Sequence, residues 1–337
     1  MRALVVGGTG VISSGIVKRL LADGHQPVVL SRGSRKPAEA GVETLVADKS
    51  DRKAFVEQMK QQRFDAVIDM ISFNAEDVQT TIEAFEGRAE HIVVCSTVAA
   101  YRRPYASIPV REDAETLYDD PTFEYAYNKA RMEHTVQAAW QERQVPLTII
   151  RPSLTFGVGA ANIGALRQNY GIVDRIRRGK PLVLFGDGVH AWSFTFVPDL
   201  ARAFVGVLGN SATFGQAYHA TNEEPTVWKE LYLSFGRLIG KEPELVHIPS
   251  RYLMEAAPAL GAHLYYEKSY DGLFDNSKLR SVLPGFRAEI SLEKGLSEIL
   301  NWWEDSKAST DAEKDQFEDK LVKVALDMRN ELKSALA

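Results

Sequence analysis

The sequence predicts an α/β fold, a doubly wound parallel sheet in the N-terminal half followed by a smaller and irregular C-terminal region. Short runs rich in Val and Ile alternate with amphipathic runs of helix length across residues 1–155. Most of the short runs are apolar at nearly every position, as strands covered by helices on both faces must be. Long structureless connections are scarce between them, which suits strand–helix–strand crossovers.

In chain order the expected strands are Ala3–Val6, Pro27–Leu30, Thr44–Ala47, Ala66–Met70, His91–Ser96 and Leu147–Ile150. The intervening helices are expected near Ser14–Ala22, Arg52–Gln61, Ala75–Phe85 and Tyr125–Arg143. After Arg151-Pro152 the rhythm breaks: Gly and Pro punctuate 157–164 and 179–188, and helix-like stretches follow at Asp199–Leu208 and Val227–Ile239. The expected division is therefore a first domain over 1–155, with some later segments returning to its sheet, and a substrate-binding region over 156–305. A C-terminal amphipathic helix is expected over 306–337, where Phe317, Leu321, Val324, Met328, Leu332 and Ala335 recur at helical spacing among many charges.

The chain has 337 residues and a net charge of −5, so it offers no broad basic field, and nucleic acid is an unlikely partner on charge. Cys95 is its single cysteine, which excludes an internal disulfide and a cysteine-only metal site and fits a reducing, cytoplasmic setting. No metal centre is expected. The N-terminal run Met1–Val6 is too brief for a secretory segment, and no apolar stretch reaches membrane-spanning length, so no membrane partner is expected.

Gly7-Gly8-Thr9-Gly10-Val11-Ile12-Ser13 follows the first strand directly and opens the first helix. Glycine permits a tight turn and a close approach of a pyrophosphate, while the helix N-terminus offers unpaired N–H groups to the anion. The strand–turn–helix context is the one that gives such a motif meaning, and it marks a Rossmann-type dinucleotide site. Gly7, Thr9, Gly10, Val11 and Ile12 are its expected contacts; Ser13 stands where a third glycine is usual, with Gly15 close by. At the end of the second strand the chain reads Ser31-Arg32-Gly33-Ser34-Arg35-Lys36. No carboxylate is present there to take a ribose 2′-hydroxyl, and the cations Arg32, Arg35 and Lys36 favour a 2′-phosphate, hence NADP over NAD. Asp48, after the third strand, is placed to meet the adenine edge.

Of the twelve tyrosines, only Tyr125 is followed by lysine four residues on. Tyr125 and Lys129 share one face of the expected helix. A phenol of ordinary pKa about 10 gives up its proton more readily beside an ammonium group, and it then serves as acid or base toward a hydroxyl or carbonyl carbon. A third group should orient the substrate oxygen, and either hydroxyl at the end of the fifth strand, Ser96 or Thr97, is placed to donate to it.

Taken in order, Gly7-Gly8-Thr9-Gly10, Ser96-Thr97 before Tyr101, Tyr125-x-x-x-Lys129, Arg151-Pro152 and Gly186-Asp187-Gly188 ahead of Val197-Pro198-Asp199-Leu200-Ala201 resemble the extended short-chain dehydrogenase/reductases. Within them the chain is most similar to the nucleotide-sugar epimerase/dehydratase group, over about residues 1–305, with Phe274-Asp275-Asn276-Ser277-Lys278 resembling a late element of that group. The resemblance implies Thr97 as the triad hydroxyl, Tyr125 as acid/base and Lys129 as its partner. It implies that Met70 and Ile71 pass over the cofactor, that Pro152 and Ser153 line the nicotinamide, and that Ser96 and Lys129 meet the cofactor. It also implies Thr97, Val98, Tyr101, Tyr125 and Trp192 as substrate contacts, with Trp192–Asp199 closing the cleft, and pairing of two chains through helices of the first domain.

These features imply an NAD(P)-dependent oxidoreductase or epimerase acting on a sugar or nucleotide-sugar carbon. Ser13 and Ser31 depart from the group's pattern and bear on cofactor identity. The lack of an Asp-Glu pair near Ser96-Thr97 argues against a 4,6-dehydratase. Two other readings stay open. One is reduction of a non-sugar carbonyl, with Trp192, Phe194 and Phe196 as an apolar lining; the other is a non-catalytic protein of this fold that binds RNA or regulates. Arg151, Arg167 and Arg175 are cations open to a substrate pyrophosphate or to structural pairing.

Overall fold

A computed structural model describes residues 1–34, 39–159 and 163–337, and the chain divides into two compact units. The first unit comprises Met1–Thr155, Thr195–Glu223 and Phe274–Glu289. Its strands are β1 (Arg2–Val6), β2 (Gln26–Ser31), β3 (Glu43–Val46), β4 (Phe64–Asp69), β5 (Ala89–Cys95), β6 (Leu147–Arg151) and β7 (Gln216–His219). They form one sheet in the order β7-β6-β5-β4-β1-β2-β3, and every neighbouring pair is parallel. The six strands expected from sequence are all present. The seventh, Gln216–His219, joins the sheet from beyond residue 200.

Helices α1 (Val11–Ala22), α2 (Arg52–Met59), α3 (Ala75–Phe85), α4 (Glu124–Arg143) and α5 (Val197–Gly206) belong to this unit. Asp51 and Asn74 cap α2 and α3 by accepting the amides of Ala54 and Asp77, which satisfies donors that the first turn leaves unpaired. Two apolar clusters lie on opposite faces of the sheet. One joins Leu4, Val67 and Ile92 to Phe55, Phe85 and Met132; the other joins Val5, Ile68 and Val93 to Ile16, Leu20 and Phe204. Alternate residues of each strand thus feed different clusters, the physical reason the strands read as continuously apolar.

The strand order reverses between β1 and β4. Chain progress from β1 runs outward through β2 and β3, then resumes on the other side of β1 with β4. A crevice opens at the carboxyl ends of the strands at such a point, and ligands of doubly wound sheets bind there.

The second unit comprises Phe156–Phe194, Glu224–Leu273 and Ile290–Ala337. It holds a parallel strand pair, Leu182–Phe185 with Leu245–Ile248, together with the helices Tyr170–Arg178, Trp228–Ile239, Leu292–Asp305 and Ala312–Ala335. The last of these packs through Glu318, Val322 and Ala325. Of the stripe expected to dock it, Leu321 and Met328 are partly buried, whereas Phe317, Val324 and Leu332 are 37%, 51% and 62% exposed. Ion pairs also hold the helix, because Arg175 reaches Asp315, Glu318 and Asp319 along one of its faces.

Candidate active site

Gly7 adopts φ 78°, a conformation that favours glycine, and a Cβ there would meet Ile71 Cγ2 at 2.4 Å. The turn therefore lies flat against the segment that follows β4. Ser13 keeps the small-residue requirement of this turn and adds a tie, its Oγ donating to Gly7 O at 2.8 Å. Close helix packing falls instead to Gly15, where a Cβ would come within 2.3 Å of Val197 Cγ1 on α5. Sequence reasoning read the third glycine as missing; its packing role has moved two positions along α1.

A cleft of about 600 Å³ opens beside this turn at the β1/β4 switch point. Gly7, Thr9, Gly10, Ser31, Arg32, Asp48 and Ile71 line it, seven of the residues expected to hold a dinucleotide, together with Leu30, Lys49, Phe73 and Asp77. Val11 and Ile12 open α1 at its edge. Arg35 and Lys36 lie outside the described residues. Hydrogen bonds from the Ser50 hydroxyl and amide, with help from the Arg32 guanidinium, hold the Asp48 carboxyl below its usual range, so Asp48 is an anionic acceptor in the cleft. The flat glycine turn, the open N-terminus of α1 and the polar strand ends fit a dinucleotide.

Tyr125 is half-buried in the first turn of α4, with its ring 6.3 Å from that of Phe123. One turn on, Lys129 is buried, and its Nζ donates to Ser72 O at 2.6 Å and Cys95 O at 2.8 Å. The ammonium is thus fixed at the carboxyl ends of β4 and β5, 5.1 Å from the centre of the Phe73 ring. Burial lowers the Lys129 pKa, opposed by Cys95, Asp69 and Glu133. Cys95 itself is an inert thiol, since burial pushes its pKa up to about 11.

Thr97 caps the short turn Val98–Ala100, its Oγ1 accepting the Ala99 amide at 3.1 Å. The oxygen is occupied as an acceptor, which leaves the hydroxyl proton to donate elsewhere. Ser96 is engaged differently, its Oγ donating to Glu133 at 2.5 Å. Glu133 also takes a forked contact from Arg151 Nε and Nη2, and Arg151 Nη1 donates to the Tyr101 hydroxyl at 2.5 Å. Tyr101 is fully buried, its hydroxyl lies 2.7 Å from His219 Nε2, and His219 Nδ1 faces Asp275 O at 3.1 Å. Burial and the nearby Arg151 charge hold His219 neutral, with its pKa lowered to about 3.

Among the other expected site residues, Met70 packs against the apolar cluster beneath α1, Pro152 O accepts the Val98 amide, and Ser153 Oγ pairs with Thr195 Oγ1 at 2.9 Å. Trp192 lies in the second unit, buried against Trp228 with centroids 6.0 Å apart. Arg151 is committed to the buried Glu133 and Arg175 to the buried Glu318, each within its own unit. Sequence reasoning missed Lys49, Asp69, Ser72 and Thr81, a buried cluster beside the cleft, and Glu133 with His219. Glu133 had a legible signal, since it continues the Tyr125–Lys129 face by one more turn.

A family model described as the NAD dependent epimerase/dehydratase family matches residues 3–220. The chain belongs to this family. Among curated relatives, a 2′-dehydrokanamycin reductase of Streptomyces kanamyceticus is 29% identical over 304 residues, covering 90% of this chain and 84% of that protein. A chloroplast stem-loop binding protein of 41 kDa of Arabidopsis thaliana is 25% identical over 319 residues, covering 89% and 78%. In fold, the chain is similar to a UDP-glucuronic acid 4-epimerase from Bacillus cereus solved with UDP-glucuronic acid and NAD, with a TM-score of 0.73 at 18% identity over 91% of this chain and 100% of that one. Relatives and fold neighbours of this epimerase/dehydratase chain include epimerases, dehydratases and reductases, and the chain is an enzyme of this NAD(P)-dependent oxidoreductase type. Among the described residues no helix is long and apolar enough to cross a membrane.

Proposed function

We propose that the chain is an NADP-dependent oxidoreductase that acts at a secondary carbinol or ketone of a sugar or nucleotide sugar, with Tyr125 as acid/base. The observation that carries this reading is the Lys129 ammonium, buried and held by two carbonyls at the strand ends, one helical turn from Tyr125. A bound nicotinamide supplies or accepts the hydride at the carbinol carbon. Tyr125 donates a proton to the carbonyl oxygen in reduction and removes it in oxidation, and Lys129 favours the phenolate by its charge. The Thr97 hydroxyl, its oxygen already used on Ala99, donates to the same substrate oxygen and stabilises its developing charge. The pyrophosphate is held by the Gly7–Gly10 turn and the first turn of α1, and the 2′-phosphate by Ser31 and Arg32.

Net redox is favoured over internal epimerisation by Ser31, where a carboxylate would bind the free ribose of retained NAD, and by the relative named as a reductase. The test is NADPH and NADH oxidation against a panel of keto-sugars, nucleotide sugars and non-sugar ketones. Consumption of NADPH with a sugar ketone is expected. A purified chain that retains stoichiometric NAD and interconverts sugar epimers without external cofactor would overturn this reading. The relative named as stem-loop binding favours a second reading, RNA binding by the same fold. That reading expects RNA retention that falls as salt is raised.

A further inference from the structure

Beside the cleft, three side chains, those of Lys49, Ser72 and Thr81, meet at the carboxylate of Asp69. Lys49 Nζ lies 2.6 Å from Asp69 Oδ2 and donates to Ser72 Oγ at 2.7 Å. Ser72 Oγ and Thr81 Oγ1 each donate to the same Oδ2 at 2.5 Å, and Asp69 Oδ1 accepts the Ile71 amide at 3.0 Å. Lys49, Asp69, Ser72 and Thr81 are all buried. Ser72 has a second duty, because its backbone carbonyl is one of the two acceptors that hold Lys129. One residue thus binds a lysine through its side chain and the other lysine through its main chain.

A buried ion pair of this kind adds little stability over an apolar pair of the same volume, so its presence asks for another role. Its position supplies one. Lys49 lines the cleft, Asp69 ends β4, and Ser72 joins them to Lys129.

We propose that Lys49, Asp69 and Ser72 are positioning residues for Lys129. In this arrangement the Asp69 carboxylate balances charge for both ammonium groups, while Ser72 fixes where the Lys129 ammonium stands. The proposal rests on the reading of Lys129 as the partner of Tyr125 and the cofactor. The charged and titratable groups facing Lys129 are Cys95 from β5, Asp69 from β4, Glu133 from α4 and Lys49 from the turn after β3. Asp69 and Glu133 favour its protonated form, and Lys49 opposes it.

The test measures NADPH dissociation constants by fluorescence from neutral to alkaline pH, alongside urea unfolding, for wild type, Lys49→Met, Asp69→Asn, the double variant, Lys49→Arg and Lys129→Met. Affinity in the wild type should fall at alkaline pH as Lys129 loses its proton. Asp69→Asn, which changes no residue lining the cleft, should move that fall to lower pH by about one unit. Lys49→Met should move it to higher pH, and Lys49→Arg should restore it.

The double variant removes both buried charges and should regain the urea stability lost by the single variants, yet bind NADPH about tenfold more weakly than wild type. A double variant that regains stability, affinity and the wild-type pH profile together overturns the proposal, since the pair would then be structural. Uniformly weaker binding by Lys49→Met with an unmoved pH profile also overturns it, as the mark of a lost direct contact. Unchanged NADPH affinity in Lys129→Met overturns the underlying reading of Lys129 and the proposal with it, and is recognised because it needs neither Lys49 nor Asp69.

Discussion

In the first unit the buried Lys49, Asp69, Lys129 and Arg151 meet at the carboxyl ends of parallel strands; in the second, the buried Arg175 and Glu318 meet along one face of the terminal helix. The second set closes on itself. Arg175 reaches Asp315 at 2.6 Å, Asp319 at 2.8 Å and Glu318 at 3.5 Å, while Glu318 accepts the Val183 amide and the Gln168 side chain. Lys180 and Arg178 complete the match of three cations to three carboxylates. The first set leaves capacity over: Lys129 spends two of its three N–H groups on protein carbonyls, Thr97 keeps its proton, and Lys49 borders the cleft. The terminal-helix cluster fastens elements to one another, whereas the strand-end cluster holds Lys129 one turn from Tyr125 and sets Lys49 at the cleft, an arrangement suited to a ligand.

Substitutions should separate the two kinds. The largest effect is expected from Tyr125→Phe, which removes the transferable proton and should lower turnover by about two to four orders of magnitude while NADPH affinity and urea stability stay near wild type. Wild-type turnover in this variant, measured on any substrate found in the panel, would remove Tyr125 from its role. Next comes Arg175→Met, which leaves the Glu318 carboxylate buried without its cation. It should cost about 3–5 kcal/mol in urea unfolding, with the NADPH dissociation constant unchanged. A parallel loss of cofactor affinity would break the division drawn between the units.

Acid should distinguish them as well. Burial lowers the His91 pKa to about 4, and burial with Arg151 lowers that of His219 to about 3, so both are neutral in the folded first unit. Below about pH 6.5 the unfolded chain takes up protons that the folded unit refuses, and stability should decline as pH falls from there toward 3. Burial alone would raise Asp315, but Lys180, Arg175 and Arg178 hold it at about 2. Its contribution should persist above its ordinary value near 4 and be lost only as pH falls toward 2. Amide exchange across this range should open β5, β6 and β7 before the helix Ala312–Ala335; the reverse order would contradict the assignment. The smallest effect is expected from Arg32→Ala, which should weaken NADPH binding about tenfold and leave NADH binding nearly unchanged, a loss in keeping with one charged hydrogen bond.

The legible parts of the molecule were local. Apolar runs marked six strands, the Gly7–Ser13 turn marked the crevice, and the four-residue spacing of Tyr125 and Lys129 put both on one helical face. Strand β7 escaped notice because Gln216–His219 is four residues long and enters the sheet only after the chain has left it. The Lys49–Asp69 pair was hidden for a topological reason. Lys49 follows β3, and β3 is separated from β4 in the sheet by β2 and β1, so nothing in their spacing points from one to the other. The apolar stripe of the last helix misled in part because its neighbours Asp315, Glu318 and Asp319, which read as solvated charge, also anchor the helix.

The central claim concerns where the Tyr125 phenol and the Lys129 ammonium stand relative to bound nicotinamide, and a crystal structure of the chain with NADP measures that directly. Tyr125 Oη and Lys129 Nζ should lie about 3 Å from hydroxyls of the nicotinamide ribose, with the 2′-phosphate against Arg32 and Ser31. A nicotinamide seated away from α4, with the Tyr125 hydroxyl turned to open solvent, would contradict it.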